Sequence, residues 1–116
     1  MHEMSIAAQL VEISISSIPP DMMGMPVEKV NLKIGRLTAL VPESLEFCFS
    51  ALSENTPLAG AQLIVEEVPV TAGCEECGEI WTVDQAVFRC RKCQSGDIKI
   101  ISGEELEISS IEIADD

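Results

Sequence analysis

This 116-residue chain has few aromatic side chains: no tyrosine, one tryptophan and three phenylalanines, 3% of its residues. Its core must therefore be built mainly from Ile, Val and Leu. It has a single histidine, His2. Without a spare histidine, no Ser–His–Asp or Cys–His catalytic constellation can form, and the chain is expected not to be an enzyme. Positive charge is scarce as well. Seven Lys and Arg face twenty Asp and Glu, for a net charge of −13. That field opposes nucleic acid and anionic membranes and suits cations or basic partners. No apolar run is long enough to span a bilayer. No Lys or Arg precedes Lys29, so a secretory signal is not expected and a cytoplasmic location is. The length fits one ordinary domain or two very small ones.

Cysteine, in contrast, is present in a pattern. Cys74-Glu-Glu-Cys77 is followed after twelve residues by Cys90-Arg-Lys-Cys93. Each C-x-x-C brings two thiolates to one side of a metal, and the intervening segment can turn to present the pairs face to face. Four cysteines so spaced point to a tetrahedral zinc site; a pair of disulfides or four free thiols is the alternative. Metal spacing fits a reducing compartment better than a disulfide framework does. Gly73 and Gly78 flank the first pair, whereas the second has no adjacent glycine. A zinc held by four thiolates keeps no open position for water, so its role would be structural. Iron also accepts four cysteines, and a rubredoxin-like electron carrier is a rival. Arg89, Arg91 and Lys92 surround Cys90. They could be offered as a nucleic-acid patch on a zinc ribbon. They are better read as offsetting the −2 charge of a zinc–tetrathiolate centre.

Along the chain, apolar residues recur at helical spacing from Met4 to Ile18, with Ile13 widening the stripe. Pro19-Pro20 ends this amphipathic helix. Val27 to Ile34 alternates as a half-buried strand and stops at Gly35. A second helix is expected from Pro42 to about Asn55, with Pro42 and Glu43 in its first turn and Leu45, Cys48, Phe49 and Leu52 as its buried stripe. Cys48 then reads as a core residue rather than a ligand. Gln62 to Val68 is a second strand, and the strand–helix–strand order allows a parallel crossover. Residues 69–73 read as a linker into the cysteine module. Inside it, Ile80–Val83 and Ala86–Arg89 are expected to pair as a hairpin, and Ile101–Gly103 to lead out. Leu106 to Ile113 is a third long strand whose apolar phase switches at Ser109-Ser110. It needs sheet partners, so it should return to the first domain. The expected domains are residues 1–68 with 104–116, and an insertion of residues 69–103.

The N-terminus offers a second set of donors. The Met1 amine, the His2 backbone nitrogen and its imidazole can close small chelate rings round one ion, and Glu3 adds a carboxylate. A nitrogen-rich planar set suits Ni(II) or Cu(II). On composition alone, an ordinary chain start that happens to carry a histidine is the stronger reading.

Met1-His2-Glu3-Met4-Ser5 opening an amphipathic helix resembles the nickel metallochaperones of hydrogenase maturation, the HypA/HybF family. So do the run from Ile34-Gly-Arg-Leu to Pro42-Glu-Ser-Leu-Glu-Phe and the two C-x-x-C pairs. The resemblance covers essentially the whole chain. It implies an α+β fold: a three-stranded mixed sheet with two helices, plus an inserted zinc-ribbon-like four-cysteine module. It also implies transient nickel on Met1, His2 and Glu3 and structural zinc on Cys74, Cys77, Cys90 and Cys93. The implied activity is nickel delivery to the [NiFe]-hydrogenase large-subunit precursor, in concert with a nickel-handling GTPase. The alternative is a zinc-ribbon interaction module without nickel transport. Some family members carry an acid near the sheet-to-helix turn, where Glu43 is the nearest acid here and is not assigned. Others carry histidines beside the zinc cysteines, and this chain has none there.

Overall fold

The computed structural model describes residues 3–85 and 87–114. The first helix, α1, spans Glu3–Ser16 and buries Ala7, Leu10, Val11 and Ser14, one narrow stripe. Met4 and Ile13, expected on that stripe, are half exposed at 50% and 52%. Ile13 lies roughly 110° round the helix from the stripe's centre, at about 100° per residue, and so falls on its flank. The helix closes with a tightened turn, Ser17 donating to Ile13 and Ser14 and Ile18 to Ile15. The regular helix therefore stops two residues short of Ile18, because a carbonyl-capped turn must precede Pro19-Pro20. Ile18 remains buried.

Strand β1 (Val27–Gly35) is followed by helix α2 (Pro42–Ser53) and strand β2 (Gln62–Val68). Pro42 stands in the first turn of α2, where its missing N–H costs nothing, and Leu45, Phe49 and Ser53 face inward. Cys48 and Leu52 are half-buried, as a flank of that stripe should be. The last long strand, β6 (Leu106–Ile113), completes a mixed three-stranded sheet of order β2-β1-β6. The return of the last strand to the first sheet was the sequence expectation. Asn31 Nδ2 donates to Ser110 Oγ and Glu112 Oε2, both at 2.9 Å, and the Ala114 amide to the Pro26 carbonyl at 2.8 Å. Those partners run in opposite directions, so β6 is antiparallel to β1. In a mixed sheet β1 and β2 are then the parallel pair, with α2 as the crossover. Burial on β6 changes phase between Ile108 and Ile111, across the two serines.

The chain divides into two compact units. One takes in the chain up to Lys33, Ala39–Glu66 and the chain from Glu107; the other takes in Ile34–Thr38 and Glu67–Leu106. The second unit holds a small antiparallel sheet of order β4-β3-β5, with β3 at Thr71–Cys74, β4 at Ile80–Thr82 and β5 at Ile98–Ser102. This corrects three expectations. Residues 71–73, read as linker, belong to the central strand. Ile101 and Ser102, read as the way out, end β5. Ile80–Thr82 pairs with β3, Ala72 opposite Trp81, and among the described residues of 86–89 there is no strand. The reason is that β3 carries only small side chains at Ala72 and Gly73. It shows no apolar alternation, yet it is flanked on both sides.

Gly35 and Gly103 meet in this second unit. A Cβ on Gly35 would lie 2.0 Å from the Gly103 carbonyl oxygen, and Gly103 sits at φ +118° against Val70. The Gly35 amide donates to Glu105 at 2.7 Å and the Leu37 amide to Gly103 at 2.8 Å. Only glycine allows backbones to approach this closely.

Candidate metal centre

Cys74 ends β3, and Cys77 follows in a tight turn. The Glu76 and Cys77 amides both donate to Cys74 Sγ at 3.4 Å, and the Gly78 amide donates to the Cys74 carbonyl at 3.0 Å. The second pair repeats the turn. Lys92 and Cys93 amides donate to Cys90 Sγ at 3.3 and 3.4 Å, and the Gln94 amide to the Cys90 carbonyl at 2.9 Å. Gly78 has φ +81° and Gln94 has φ +68°. The left-handed residue closing each knuckle is thus a glycine in one case and a glutamine in the other. The glycine marked the first in the sequence; the second carried no such mark, and its only signal was the equivalence of the two C-x-x-C motifs.

The two knuckles face each other. All four Sγ atoms lie within 4.8 Å of one another, with Cys74–Cys93 and Cys77–Cys90 each 3.6 Å apart. Four sulfurs about 2.3 Å from a central zinc would stand about 3.8 Å apart. Disulfide sulfurs would stand about 2.05 Å apart, and the cysteines are all free. Cys74 and Cys90 are buried while Cys77 and Cys93 are exposed, so the cluster is anchored on one side and open to loading on the other. The donor set therefore fits a tetrahedral soft-metal ion.

Electrostatics point the same way. The Cys93 amide, opposed by burial and helped by the Lys92 amide, brings the Cys90 thiol down to about 6. For Cys93 the Ser95 amide favours the thiolate, but partial desolvation of its sulfur and the neighbouring sulfurs prevail and push it up to about 12. Cys77 is raised too: the Glu79 backbone favours its thiolate, and partial desolvation of its sulfur with Cys90 and Cys74 outweighs it. One thiolate is accommodated by backbone dipoles and the next ones repel it. A dication is what allows all four to ionise. The basic side chains act less directly than expected. Arg91 Nε pairs with Glu79 at 2.9 Å, and what Lys92 gives Cys90 Sγ is its amide.

Met1 and His2 lie outside the described residues. Glu3 opens α1, and its Oε2 accepts from the Val41 amide at 3.3 Å, at the entry to α2. Nothing in the local sequence announces that contact, which spans 38 residues. Glu43, two residues on, is exposed. Cys48 is separate from the four-cysteine cluster.

Residues 1–113 match the family described as hydrogenase/urease nickel incorporation, metallochaperone, HypA. The chain is 50% identical to a hydrogenase maturation factor HypA of Desulfosudis oleivorans over 97% of this chain and 98% of that one. It is 51% identical to the HypA of Desulfatibacillum aliphaticivorans, over 99% and 88% of the two chains. Its fold matches the solution structure of the nickel metallochaperone HypA from Helicobacter pylori with a TM-score of 0.66 at 23% identity, over 97% of each chain. A second HypA solution structure matches with a TM-score of 0.70 at 22% identity, covering 98% of this chain and 97% of that one. With a family match over nearly its full length and relatives at half identity, the chain belongs to the HypA family of nickel-incorporation metallochaperones.

Proposed function

We propose that this chain carries nickel to the [NiFe]-hydrogenase large-subunit precursor, working with a nickel-handling GTPase in the cytoplasm, as a carrier rather than a catalyst. Residues 1–68 with 104–116 form the nickel-binding domain, and residues 69–103 the zinc-binding one. Cys74, Cys77, Cys90 and Cys93 hold structural zinc, which supplies a cross-link between two otherwise independent turns. The observation that carries the metal site is the pair of 3.6 Å sulfur separations, close to the edge of a metal–thiolate tetrahedron; iron fits that geometry too, and metal analysis with a visible spectrum separates colourless zinc from coloured iron. Nickel is cargo, taken by His2 with Met1 and Glu3. Family membership supports this, together with the position of Glu3 at the first turn of α1.

Titration of untagged, zinc-loaded protein with nickel tests the reading. His2→Ala should weaken nickel binding by at least about tenfold while zinc content stays unchanged. N-acetylation should weaken it similarly if the Met1 nitrogen is a ligand, and equal affinity would remove the amine from the site. Reference pKa values near ~7.7 for the amine and ~6.5 for the imidazole make protons compete with nickel as pH falls toward ~6. Mild chelation should strip nickel and leave zinc; zinc leaving first, with the fold intact, would reverse the two roles.

A further inference from the structure

A groove of about 650 Å³ lies in the first unit between the α1–β1 connection and β6. Pro19, Met22 and Met25 form one wall, and residues 108–111, 113 and 114 the other. Successive side chains of a strand point to opposite faces. A cavity touched by four consecutive residues of β6 therefore runs along the edge of the strand, not over one face. In the order β2-β1-β6, that edge has no strand partner among the described residues. Met22 and Met25 are 36% and 40% exposed, flexible apolar side chains beside a row of free backbone groups.

We propose that this edge is a docking site for an extended, basic segment of a partner protein, which adds to the sheet as a fourth strand beside β6. Backbone hydrogen bonds to β6 would supply affinity, and the methionines would take its alternate apolar side chains. The charge of the chain selects the occupant. The charged residues of β6 itself, Glu107 and Glu112, are both acidic, and Asp21 sits next to Met22. A second copy of this chain, carrying −13, would meet a like field; a lysine-rich strand meets an opposite one. The inference is independent of the nickel reading.

The test uses the full-length, zinc-loaded, isotopically labelled protein and the peptide acetyl-Lys-Val-Lys-Val-Lys-Val-amide. The expected result is saturable amide shifts confined to residues 108–114, with shifts at the Met22 and Met25 methyl groups. The same peptide N-methylated at every residue keeps its charge and loses its donors. It should bind at least about tenfold more weakly, the effect of losing two or three hydrogen bonds. A glutamate-for-lysine peptide should not bind. Equal binding of the N-methylated peptide would reduce the contact to charge attraction and overturn the proposal. So would shifts centred elsewhere, or protection of β6 amides that grows with protein concentration in the absence of peptide.

Discussion

The two units are held together by different means. The first packs Val30, Leu32, Leu45, Phe49 and Leu58, all at most 1% exposed, between a sheet and two helices. The second has a buried cluster of Ala72, Cys74, Trp81 and Cys90, edged by Val83, Ile98 and Ile100. Half of that cluster is metal-facing cysteine. An apolar core of the first kind can carry its own fold; one of the second kind is too small to do so without a cross-link. On the proposed assignment, a unit that depends on its ion for folding keeps that ion, and a unit with its own core can gain and lose one without unfolding.

Removing zinc should be the largest perturbation that separates the units. Structural zinc sites of small modules supply about 10–16 kcal/mol. Strong chelation, or Cys90→Ala, should collapse the amide dispersion of residues 67–106 while that of α1, α2 and β1 persists. Loss of dispersion throughout would mean the units do not fold separately. Reloading the collapsed, metal-free module at pH 7 carries a proton signature. Thiols of an unfolded segment have the reference pKa of about 8.5, so nearly every zinc-binding thiol releases a proton as it becomes a ligand, and zinc affinity should fall steeply as the pH is lowered. Calorimetry in buffers of different ionisation enthalpy reads the proton count.

The converse perturbation is Phe49→Ala, which opens a cavity in the first unit at a fully buried position. It should cost about 3–5 kcal/mol and lower the denaturant midpoint of the first unit. Zinc retention and the dispersion of residues 67–106 should be unaffected. Zinc loss in this variant would show that the cysteine module leans on the first core.

Both the pattern and its failures have physical reasons. Val27 to Ile34 and both helices were legible because their burial is one-sided, so the sequence period reports the face; Gln62 to Val68 was legible from its β-branched residues instead. The clustering of Cys74, Cys77, Cys90 and Cys93 was legible because ligand chemistry fixes the spacing. The pairing inside the module was not. Thr71–Cys74 is a central strand made of small residues, whose neighbours are chosen by where the two knuckles must meet. Val87 and Phe88 look like strand residues yet are exposed, at 58% and 40%. The contact of Glu3 with Val41 was invisible because it depends on how α1 meets the start of α2, which no local pattern encodes.

The smallest effect discriminates most finely, because it compares the two knuckles within one site. Gly78 and Gln94 occupy equivalent positions, at φ +81° and φ +68°. A Cβ added to Gly78 would meet nothing within 4 Å, so Gly78→Ala changes backbone preference and no packing. A non-glycine residue in the left-handed region costs about 1–2 kcal/mol, partly offset by the lower entropy of the unfolded chain. The expected net loss is about 1 kcal/mol. Gln94→Gly runs the argument backwards: it relieves the strain that Gln94 bears and adds unfolded-state freedom. The expected change is a gain of no more than about 1 kcal/mol. Denaturant midpoints of the second unit, measured with zinc bound, should move in opposite directions for the two variants. If Gln94→Gly also destabilises by a full kcal/mol, the glutamine side chain contributes a contact that outweighs its backbone strain, and the knuckles are not equivalent.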